Sequence, residues 1–426
     1  MKVLWLMNFI LPQAAPLYSK EVFAKEGWVG ALFSSLSETE NLEIGCAFPL
    51  SLKKDEIIKK QDGKYTYYAF DEDTAAPEVY NPALEPIMQR ILSDFKPDII
   101  HIFGTEFPHT LAMMRACPDP GKVLIGFQGM MGPIAEHYYA GLPKRVIKRR
   151  TFRDRLKMDD LAWQKVKIMA RAENEAEAIS LAVHVTGRTE FDKNTALAIN
   201  PKLSYHKLNE SLRSVFYEPK AGVKREEGRI FLCQGNYPLK GAHFALSAMK
   251  HIIKQRPDAV LYIGGDPIKT ADGLMNRIKR GSYASYLREL IRRNHLKGHV
   301  VFTGMLSADE MREQYQKASV YLFCSSVENS PNSIGEAMLL RCPVVASKVG
   351  GVPSMISEEE GILLDPLSME EASIASLSDA VLKALNMQDS ERDALTERAY
   401  KRGLKNHDTT GNRETLLKIY EEMLRK

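Results

Sequence analysis

The sequence predicts an α/β protein with two tandem, doubly wound parallel sheets. Short apolar runs alternate with segments of helical periodicity over almost the whole chain, as is typical of parallel strands joined by crossover helices. The alternation occurs twice, once on each side of a polar stretch at residues 216–227. The chain has 426 residues, which is longer than one hydrophobic core usually supports and therefore favours two domains.

Each apolar run predicts one strand. The runs of the first half are Val3–Ile10, Leu42–Phe48, Lys64–Phe70, Ile99–Phe103, Val123–Phe127 and Val183–Thr186. Those of the second half are Ile230–Cys233, Val260–Ile263, Val300–Thr303, Val320–Cys324, Val344–Ala346 and Ile362–Leu364. Helical periodicity predicts helices between them, including Pro82–Asp94, Thr110–Arg115, Ala242–Gln255 and Tyr283–Asn294. The first run resembles a signal peptide, but we interpret it as a strand because a turn follows it.

The polar stretch Phe216–Glu227 predicts the domain boundary, since it contains Pro219 and Gly222 between two strand-like runs. We therefore expect one domain over residues 1–215 and a second over residues 216–410. Residues 411–426 carry apolar side chains at helical spacing and predict a terminal helix with one apolar face.

Composition and motifs exclude several classes of protein. A hydrophobic content of 44% and a charged content of 26% are those of a globular protein. The net charge of +4 does not by itself indicate nucleic-acid binding. We find no Walker A loop, no dinucleotide fingerprint, no cluster with metal-ligand spacing and no long apolar span. We therefore expect no bound metal, no cofactor and no membrane-spanning segment, and the five scattered cysteines fit a reduced core.

The most informative stretch reads SSVENSPNSIGEAMLLRCPVVASKVGGVP, from Ser325 to Pro353. Glu328 and Glu336 lie in it with seven residues between them, and a polar loop separates a buried strand from a helical pattern. The first turn of a helix exposes unpaired N–H groups and favours an anion, so a phosphate would fit there. The alternative is a capping box, in which Ser333 caps the helix and Glu336 bonds back to the backbone.

A second candidate loop runs from Gly235 to Gly241, after the strand Ile230–Cys233. Lys240 would lie at the start of the following helix, where a lysine is unfavourable unless an anion is present. The alternative is a solvated lysine beside a turn.

The stretch Ser325–Pro353 resembles the EX7E motif of retaining GT-B glycosyltransferases, above all those of family 4. Glu328 and Glu336 match the two motif glutamates, and EAM, PVVAS and a GG turn follow in the family's order. Lys240 and Gly241 match the end of the family's G-R-x-x-x-x-K-G segment. Asn236 stands in place of its arginine, and the loop is one residue shorter. The resemblance implies two Rossmann-like domains facing a central cleft, with the last helix packed back on the first domain.

The resemblance also implies roles for individual residues. Lys240 and Glu328 would be catalytic, and Glu336 would hold the ribose of a nucleotide-diphosphate sugar. The expected donor contacts are Gly27, Gly30, Asn236, Lys240, Glu328, Asn329, Ser330, Asn332, Ser333 and Glu336. Turn geometry alone also explains Gly27 and Gly30.

Three residues of the first half are candidate contacts for the sugar or the acceptor. Gln128 stands where many relatives have histidine, so it can bond a hydroxyl but cannot titrate. His109 is a nearby alternative in a loop. Arg188 either meets a phosphate or pairs with Glu190 or Asp192.

The segment Lys144–Lys157, KRVIKRRTFRDRLK, is strongly basic with interleaved apolar residues. It is either a solvated helix face or a contact with an anionic membrane. The cations expected to make that contact are Lys144, Arg145, Lys148, Arg149, Arg150 and Arg153. We expect a cytoplasmic protein, with this segment as the candidate contact with the inner face of the cell membrane.

The predicted activity is transfer of a hexosyl-type group, with retention, from a nucleotide sugar to a hydroxyl of a glycan or lipid-linked acceptor. Similarity of AEHYYAGLP and GRTEFDK to polysaccharide-building members points to capsule, exopolysaccharide or lipopolysaccharide synthesis. The alternatives are a GT-B sugar-nucleotide epimerase and a non-catalytic nucleotide-sugar-binding protein.

Overall fold

The computed structural model describes residues 1–20, 27–36, 39–266, 268 and 279–425. Its strands are β1 (Lys2–Met7), β2 (Glu43–Leu50), β3 (Ile57–Asp62), β4 (Tyr65–Asp71), β5 (Ile99–Phe103), β6 (Val123–Gly126), β7 (His184–Gly187), β8 (Ser204–Lys207), β9 (Arg229–Leu232), β10 (Val260–Ile263), β11 (Val300–Phe302), β12 (Val320–Phe323), β13 (Val344–Ser347) and β14 (Ile362–Leu364). Its α-helices are α1 (Gly27–Leu36), α2 (Leu84–Phe95), α3 (Pro108–Ala116), α4 (Met131–His137), α5 (Lys144–Ile147), α6 (Phe152–Lys157), α7 (Leu161–Leu181), α8 (Glu190–Ile199), α9 (Ala242–Gln255), α10 (Ser282–Arg293), α11 (Ala308–Lys317), α12 (Asn332–Leu339), α13 (Val352–Met355), α14 (Glu371–Leu385), α15 (Asp389–Asn406) and α16 (Thr409–Leu424).

The strands form two sheets, as predicted. The first has the order β3-β4-β2-β1-β5-β6-β7-β8, and the second has the order β11-β10-β9-β12-β13-β14. All pairs are parallel except β3 with β4. The fold-class prediction of two doubly wound parallel α/β sheets is therefore confirmed.

Each sheet has one point where its strand order reverses direction. In the first sheet this point lies between β1 and β5, and in the second it lies between β9 and β12. At this point the loops that follow the two strands run in opposite directions and leave a crevice between them. Open α/β sheets bind their ligands in such a crevice, at the carboxyl ends of the strands. Residues that bind ligands are therefore expected in the loops at these two switch points.

The chain packs as two compact units whose bounds differ from those of the predicted domains. One compact unit comprises residues 1–135, 167–211 and 408–426, and the other comprises residues 136–166 and 212–407. The segment 136–166 thus belongs to the second unit, although it lies far inside the predicted first domain. Its contacts explain this assignment: Asp154 binds the backbone N–H of Ser282 at 3.0 Å, and His243 binds the carbonyl of Ala140 at 2.8 Å.

The terminal helix α16 packs within the first unit. Its Tyr420 hydroxyl accepts from Trp5 Nε1 at 3.1 Å and lies 2.7 Å from Nδ1 of the buried His101. Burial lowers the pKa of His101 to about 3. The ring is therefore neutral at physiological pH and accepts a hydrogen bond from the Tyr420 hydroxyl through Nδ1.

The sequence did not predict two of the strands. β3 reads IIKKQD and exposes four of its six residues, and it lies antiparallel at the sheet edge. β8 reads SYHK and forms the opposite edge. An edge strand has a neighbour on one side only and needs little apolar surface, so neither segment shows the apolar run that identified the central strands.

Candidate functional site

The switch point of the second sheet brings Lys240 and Glu328 together. The chain leaves β9 into a 3-10 turn at Pro238–Lys240, and it leaves β12 into the loop that carries Glu328. Lys240 Nζ lies 2.5 Å from Glu328 Oε2, with 19% and 25% of the two side chains exposed. Two residues that are 88 positions apart in sequence thus form one ion pair at the edge of the sheet.

Two glycines fix the backbone of this pair. Gly241 has φ +73°, and a Cβ there would lie 2.0 Å from the carbonyl oxygen of Cys324. Gly350 has φ +52°, and its Cβ would lie 2.0 Å from the carbonyl oxygen of Glu328. That same oxygen accepts from the N–H of Gly351 at 3.0 Å. Gly241 and Gly350 therefore have a physical role. A larger residue at either position would push apart the two backbone segments that meet there.

The environment of Lys240 corrects one argument made from the sequence. A lysine at a helix start needs an anion, and the structure supplies one from the protein itself, the Glu328 carboxylate. Burial alone would lower the pKa of Lys240, but Glu328 and the Tyr237 phenol outweigh it and raise that pKa. The ammonium is therefore charged at all physiological pH values, and its position does not by itself require a bound phosphate.

The helix that follows Glu328 begins differently from the predicted capping box. α12 starts at Asn332 with Pro331 at the N-cap, where no side chain caps the backbone. Ser333 therefore lies inside the helix, within hydrogen-bonding reach of Cys233 and Tyr321. The capping alternative for Ser333 and Glu336 is wrong, because Pro331 moves the helix start two residues earlier.

Glu336 instead forms a buried ion pair. One oxygen accepts from Arg213 Nη2 at 3.1 Å and the other accepts from the Tyr315 hydroxyl at 3.0 Å. Burial raises the pKa of the Glu336 carboxyl, and Arg213 acts against that rise. The sequence did not identify Arg213, which lies 123 residues from Glu336 and carries no motif.

The loop before α12 contains a polar atom without a partner. Ser330 is 6% exposed, and its Oγ makes no hydrogen bond within the described part of the protein. Leaving a buried hydroxyl unsatisfied costs about 1–3 kcal/mol. Asn329 is also buried, and Asn332 provides the first residue of the helix. An orphaned hydroxyl beside a helix start is what a site for an oxygen-rich ligand would have before the ligand binds.

Asn236 lies on the other side of the same switch point. A Cβ at Gly265 would lie 2.3 Å from Asn236 Oδ1, so the asparagine packs directly on that glycine. Asn236 and Tyr237 also line a polar cavity of about 230 Å³ that Arg153, Gln164 and Lys279 help to enclose.

The switch point of the first sheet has a different chemistry. Asn8 follows β1 and Glu106 follows β5, and Asn8 Nδ2 donates to Glu106 Oε2 at 3.2 Å. The other oxygen of Glu106 accepts from the N–H of Gly129 at 2.9 Å. Gln128 lies in the same place, since a Cβ at Gly104 would lie 3.2 Å from Gln128 Oε1 and 2.2 Å from Glu106 Oε2. Gln128 was a candidate from the sequence, but Asn8 and Glu106 were not. Asn8 lies inside the predicted strand Val3–Ile10, which in the structure ends at Met7, and Glu106 follows the predicted strand Ile99–Phe103.

His109 needs a correction, because it lies in the first turn of α3 and not in a loop. It is fully buried, with Nδ1 2.6 Å from Glu72 Oε2 and Nε2 2.9 Å from Asn8 Oδ1. Both ring nitrogens are thus engaged within the protein. His109 orients Asn8 and is not open to a ligand in this structure.

Behind Glu106 lies the buried carboxyl of Glu175. Its oxygens accept from the Thr105 hydroxyl at 2.5 Å and from the N–H of Met131 at 2.7 Å, at the start of α4. Burial raises the pKa of Glu175 to about 8, and the nearby Glu106 carboxylate adds to this rise. The first switch point therefore holds two carboxyl groups, and burial raises the pKa of the inner one, Glu175.

Arg188 forms an ion pair that the sequence did not predict. Its Nη1 lies 2.6 Å from Glu210 Oε2, and each side chain is 8% exposed. Asp192 accepts a hydrogen bond from the backbone N–H of Arg188 at 2.9 Å. Arg188 and Glu210 border a small apolar cavity of about 30 Å³ beside Trp28 and Phe103.

Gly27 and Gly30 lie in the first turn of α1, not in a loop. The residues between β1 and α1 at positions 21–26 lie outside the described residues, so the predicted loop is described only in part. A Cβ at Gly30 would be 3.7 Å from Pro12 Cδ, an ordinary contact.

The basic segment carries several ion pairs within the second unit. Arg145 and Arg149 both reach Glu289, at 2.8 and 3.6 Å. Arg150 reaches Asp160 at 2.8 Å, and Arg153 reaches Asp159 at 2.8 Å. Four of the six cations expected to face a membrane thus hold the segment to its own unit.

The described ranges 1–20, 27–36, 39–266, 268 and 279–425 contain no group of three or more His, Cys, Asp or Glu side chains arranged to hold a metal. They also contain no helix with the length and apolar character needed to cross a bilayer.

Comparison with known proteins finds a family match within the second unit. Residues 216–402 match the family model described as Glycosyl transferases group 1. A putative glycosyltransferase of Bacillus subtilis, YtcC, is 31% identical over 153 residues, which are 35% of each chain. The sulfoquinovosyl transferase SQD2 of Arabidopsis thaliana is 26% identical over 306 residues, 68% of this chain and 51% of that protein. The chain thus spans about a third to a half of the length of these relatives.

Solved structures share the fold over the whole chain. The sucrose-phosphate synthase of Thermosynechococcus elongatus superposes with a TM-score of 0.69 at 15% identity, covering 100% of both chains. Anabaena HepE, solved in complex with UDP, gives a TM-score of 0.63 at 15% identity, covering 99% of this chain and 100% of that one. At such identities the likeness shows the fold alone, and that fold is GT-B.

Proposed function

Taking the match of residues 216–402 to the group 1 glycosyl transferases as the premise, we propose that this protein is a glycosyltransferase with a nucleotide-diphosphate sugar as donor. The observation that carries the proposal is the Lys240–Glu328 pair at the switch point of the second sheet. A charged ammonium, a carboxylate and a helix start lie at the place where α/β sheets bind phosphorylated ligands.

The proposed chemistry is departure of a nucleoside diphosphate. Negative charge grows on the diphosphate as the glycosidic bond breaks, and preorganised positive groups lower that barrier. Lys240 supplies a full charge, and the N–H groups at the start of α12 supply partial ones. Ser330 gains the hydrogen-bond partner that its buried Oγ lacks. We propose that this arrangement acts without a metal or an organic cofactor.

Glu328 is proposed to change partners when the donor binds. In the structure its carboxylate neutralises Lys240; a diphosphate would compete for that ammonium and leave Glu328 to accept from hydroxyls of the sugar. Lys240 keeps an anionic partner in this exchange, while the Glu328 carboxylate exchanges its ammonium partner for hydroxyl donors.

Glu336 is proposed to accept hydrogen bonds from the ribose. A carboxylate has about four acceptor positions, and Arg213 and Tyr315 use two of them. Arg213 would keep the buried carboxyl ionised, and thus a strong acceptor, against the effect of burial.

The remaining parts of the proposal follow from the resemblance to family 4. They are retention of anomeric configuration, a glycan or lipid-linked acceptor, and a role in capsule, exopolysaccharide or lipopolysaccharide synthesis. Cytoplasmic location with contact at the inner face of the membrane belongs to the same proposal.

The decisive experiment is an assay of the purified chain with a panel of radiolabelled nucleotide sugars, with and without lipid-linked and oligosaccharide acceptors. We expect one donor to yield acceptor-dependent product, and NMR of that product to show the donor's anomeric configuration. Activity should survive excess EDTA within about twofold, far less than the loss of a Lewis-acid metal would cause. Loss of activity that only Mg²⁺ or Mn²⁺ restores would contradict the metal-free mechanism.

An epimerase is the second candidate, and the carboxyl groups at the first switch point favour it. Epimerisation needs groups that move protons, and the pKa of about 8 at Glu175 would suit one. An epimerase would interconvert two nucleotide sugars with no acceptor present. A non-catalytic binding protein would bind the donor in calorimetry and give neither product.

A further inference from the structure

A series of hydrogen bonds links the buried carboxylate of Glu72 to the Glu106 carboxylate at the first switch point. Glu72 Oε2 lies 2.6 Å from His109 Nδ1, and His109 Nε2 lies 2.9 Å from Asn8 Oδ1. Asn8 Nδ2 then donates to Glu106 Oε2 at 3.2 Å. We call these four residues the Glu72–Glu106 network. They come from four separate places in the sequence and meet within the first unit.

The two ends of the network differ in burial. Glu72 is 7% exposed and His109 is fully buried, whereas Asn8 and Glu106 are partly exposed. A ligand can therefore reach the Glu106 end. The Glu72 end is closed to a ligand and can influence one only through the residues in front of it.

The donors and acceptors of the network assign its protons. An ionised carboxylate has no proton to donate, so Asn8 turns its NH₂ group to Glu106 and its carbonyl oxygen to His109. That oxygen can only accept, and the ionised Glu72 can only accept as well. Both ring nitrogens of His109 therefore donate. The ring is an imidazolium cation in this arrangement.

Glu72 contributes more to orientation than to stability. Its Oε1 is buried and makes no hydrogen bond among the residues that the structure describes. A buried ion pair with an unsatisfied oxygen stabilises a fold poorly. It does hold charge on the His109 ring, which Phe70 and Phe107 also support with ring centroids at 5.6 and 5.7 Å.

The Glu106 end of the network packs around Gly104, whose φ is +95°. A Cβ there would lie 2.2 Å from Glu106 Oε2, 2.8 Å from Asn8 Nδ2 and 3.2 Å from Gln128 Oε1. One carboxylate and two carboxamides thus converge on a residue without a side chain. Such a set accepts from and donates to hydroxyl groups on neighbouring carbons of a sugar.

We propose that Glu72 and His109 are positioning residues for sugar transfer. Through the Asn8 amide they hold the Glu106 carboxylate in the direction that accepts a hydrogen bond from a hydroxyl of the acceptor sugar. Without the His109 cation, the amide could turn over and place its oxygen against Glu106, where two acceptors repel each other. This proposal rests on the proposed transferase function and adds residues that act on the acceptor alone.

The first measurement needs no substrate. Nitrogen-15 NMR of the full chain, labelled at the histidine ring nitrogens, shows whether each nitrogen carries a proton. We expect two protonated nitrogens for His109 at pH 7, and its signals are those that His109→Gln removes. Glu72→Gln should return the ring to its neutral form, with one protonated nitrogen, because glutamine supplies no negative charge.

The second measurement is a set of double-mutant cycles that combine Glu72→Gln or Asn8→Ala with Glu106→Gln. Each single substitution should raise the acceptor KM about fivefold and leave the donor KM unchanged. In the Glu106→Gln background, neither of the other two should raise the acceptor KM further, because a positioning residue acts only through Glu106. A purely structural role would instead multiply the effects.

Asp94→Asn is the control for both cycles. Asp94 is a carboxylate of the same unit that accepts from the Tyr68 hydroxyl and from Lys59, each at 2.6 Å. Its substitution should leave both KM values unchanged. If Glu72→Gln does not fold, the cycle of Asn8→Ala with Glu106→Gln still decides, since Asn8 is partly exposed and links the same two groups.

Two results would overturn the proposal. One is a neutral His109 ring in the wild-type protein at pH 7. The other is an acceptor KM that rises by the product of the single effects when Asn8→Ala and Glu106→Gln are combined. Absence of transfer from every donor in the panel would instead contradict the proposed function, and the NMR measurement would still show whether His109 carries the charge.

Discussion

The two switch points have the same topology and opposite chemistry. At the second, between β9 and β12, Lys240 and the start of α12 bring positive charge to a carboxylate. At the first, between β1 and β5, Glu106 and Glu175 lie among amides and backbone N–H groups. An ammonium and a helix start suit a diphosphate, whereas carboxylates and amides suit hydroxyl groups. One fold used twice thus carries two sets of loops with different charge, which we propose as a place for an anion and a place for a polyol.

Among the substitutions that test this difference, Lys240→Ala should have the largest effect on activity. Removing the charge that stabilises a departing diphosphate should lower kcat by about 10²–10³, by analogy with loss of one oxyanion donor. Because the Lys240–Glu328 pair is mostly buried, the free energy of unfolding should also fall, by about 1–2 kcal/mol. The measurements are kcat with the identified donor and the thermal midpoint. Lys348→Ala is the control, since Lys348 pairs with Asp365 at 3.1 Å at the surface of the same unit. Near-normal turnover in Lys240→Ala would remove Lys240 from the mechanism.

Glu175→Gln tests the raised pKa of Glu175 at the first switch point through the pH dependence of stability. The folded-state pKa of about 8 lies above the usual value of 4.5, so between these values the folded state holds a proton that the unfolded state has released. Stability should therefore fall as pH rises from about 5 to 8, by about 1.4 kcal/mol per pH unit. Glutamine cannot release a proton, so the variant should lose this slope. Thermal midpoints at pH 6, 7 and 8 measure it, and equal slopes in both proteins would contradict the raised pKa.

Glu336→Gln tests the role of the buried pair that Glu336 forms with Arg213 at the second switch point. Glutamine keeps one acceptor but loses the charge that binds Arg213, so donor KM should rise about tenfold. The free energy of unfolding should also fall by about 1–2 kcal/mol, because Arg213 loses its charge partner. Tyr315→Phe is the control, since it removes one bond to Glu336 and leaves the charge pair intact. An unchanged donor KM in Glu336→Gln would limit Glu336 to a structural role.

The smallest expected effect is that of Glu106→Gln at the first switch point. If Glu106 accepts from a hydroxyl of the acceptor, its loss of charge should raise acceptor KM about fivefold and leave donor KM unchanged. Steady-state kinetics with each substrate varied in turn make the measurement. Glu85→Gln, at a surface glutamate of the same unit that pairs with Arg115, should change neither constant. A rise in donor KM alone would contradict the division of labour between the two switch points.

Central strands and loops were predictable because their signals are local. A buried parallel strand must be apolar along its whole length, so runs such as Val320–Cys324 and Val344–Ala346 identified β12 and β13. Gly241 and the turn Gly350–Gly351 could also be selected from the sequence. In the structure, close backbone contacts at Gly241 and Gly350 leave no room for a Cβ. The edge strands β3 and β8 escaped prediction, since one-sided pairing leaves no comparable pattern.

The residues of the candidate site were also predictable only in part. From sequence alone, Lys240, Glu328 and Glu336 could be selected, and the loops that carry them could be assigned to strand ends. Their partners could not, because Glu328 lies 88 residues from Lys240 and Arg213 lies 123 residues from Glu336. The rejected capping box shows the limit at short range, since one proline at the helix start removed one of the roles considered for Glu336 and left its ribose role a prediction.

What the sequence by itself determined about this protein is the set of buried strands, the two-sheet fold and the loops where chemistry is possible. Only the tertiary structure decided which charges neutralise each other and that residues 136–166 pack in the second unit. The physical reason is range. Burial of a strand depends on neighbouring residues, whereas an ion pair depends on which distant segment comes to lie against it.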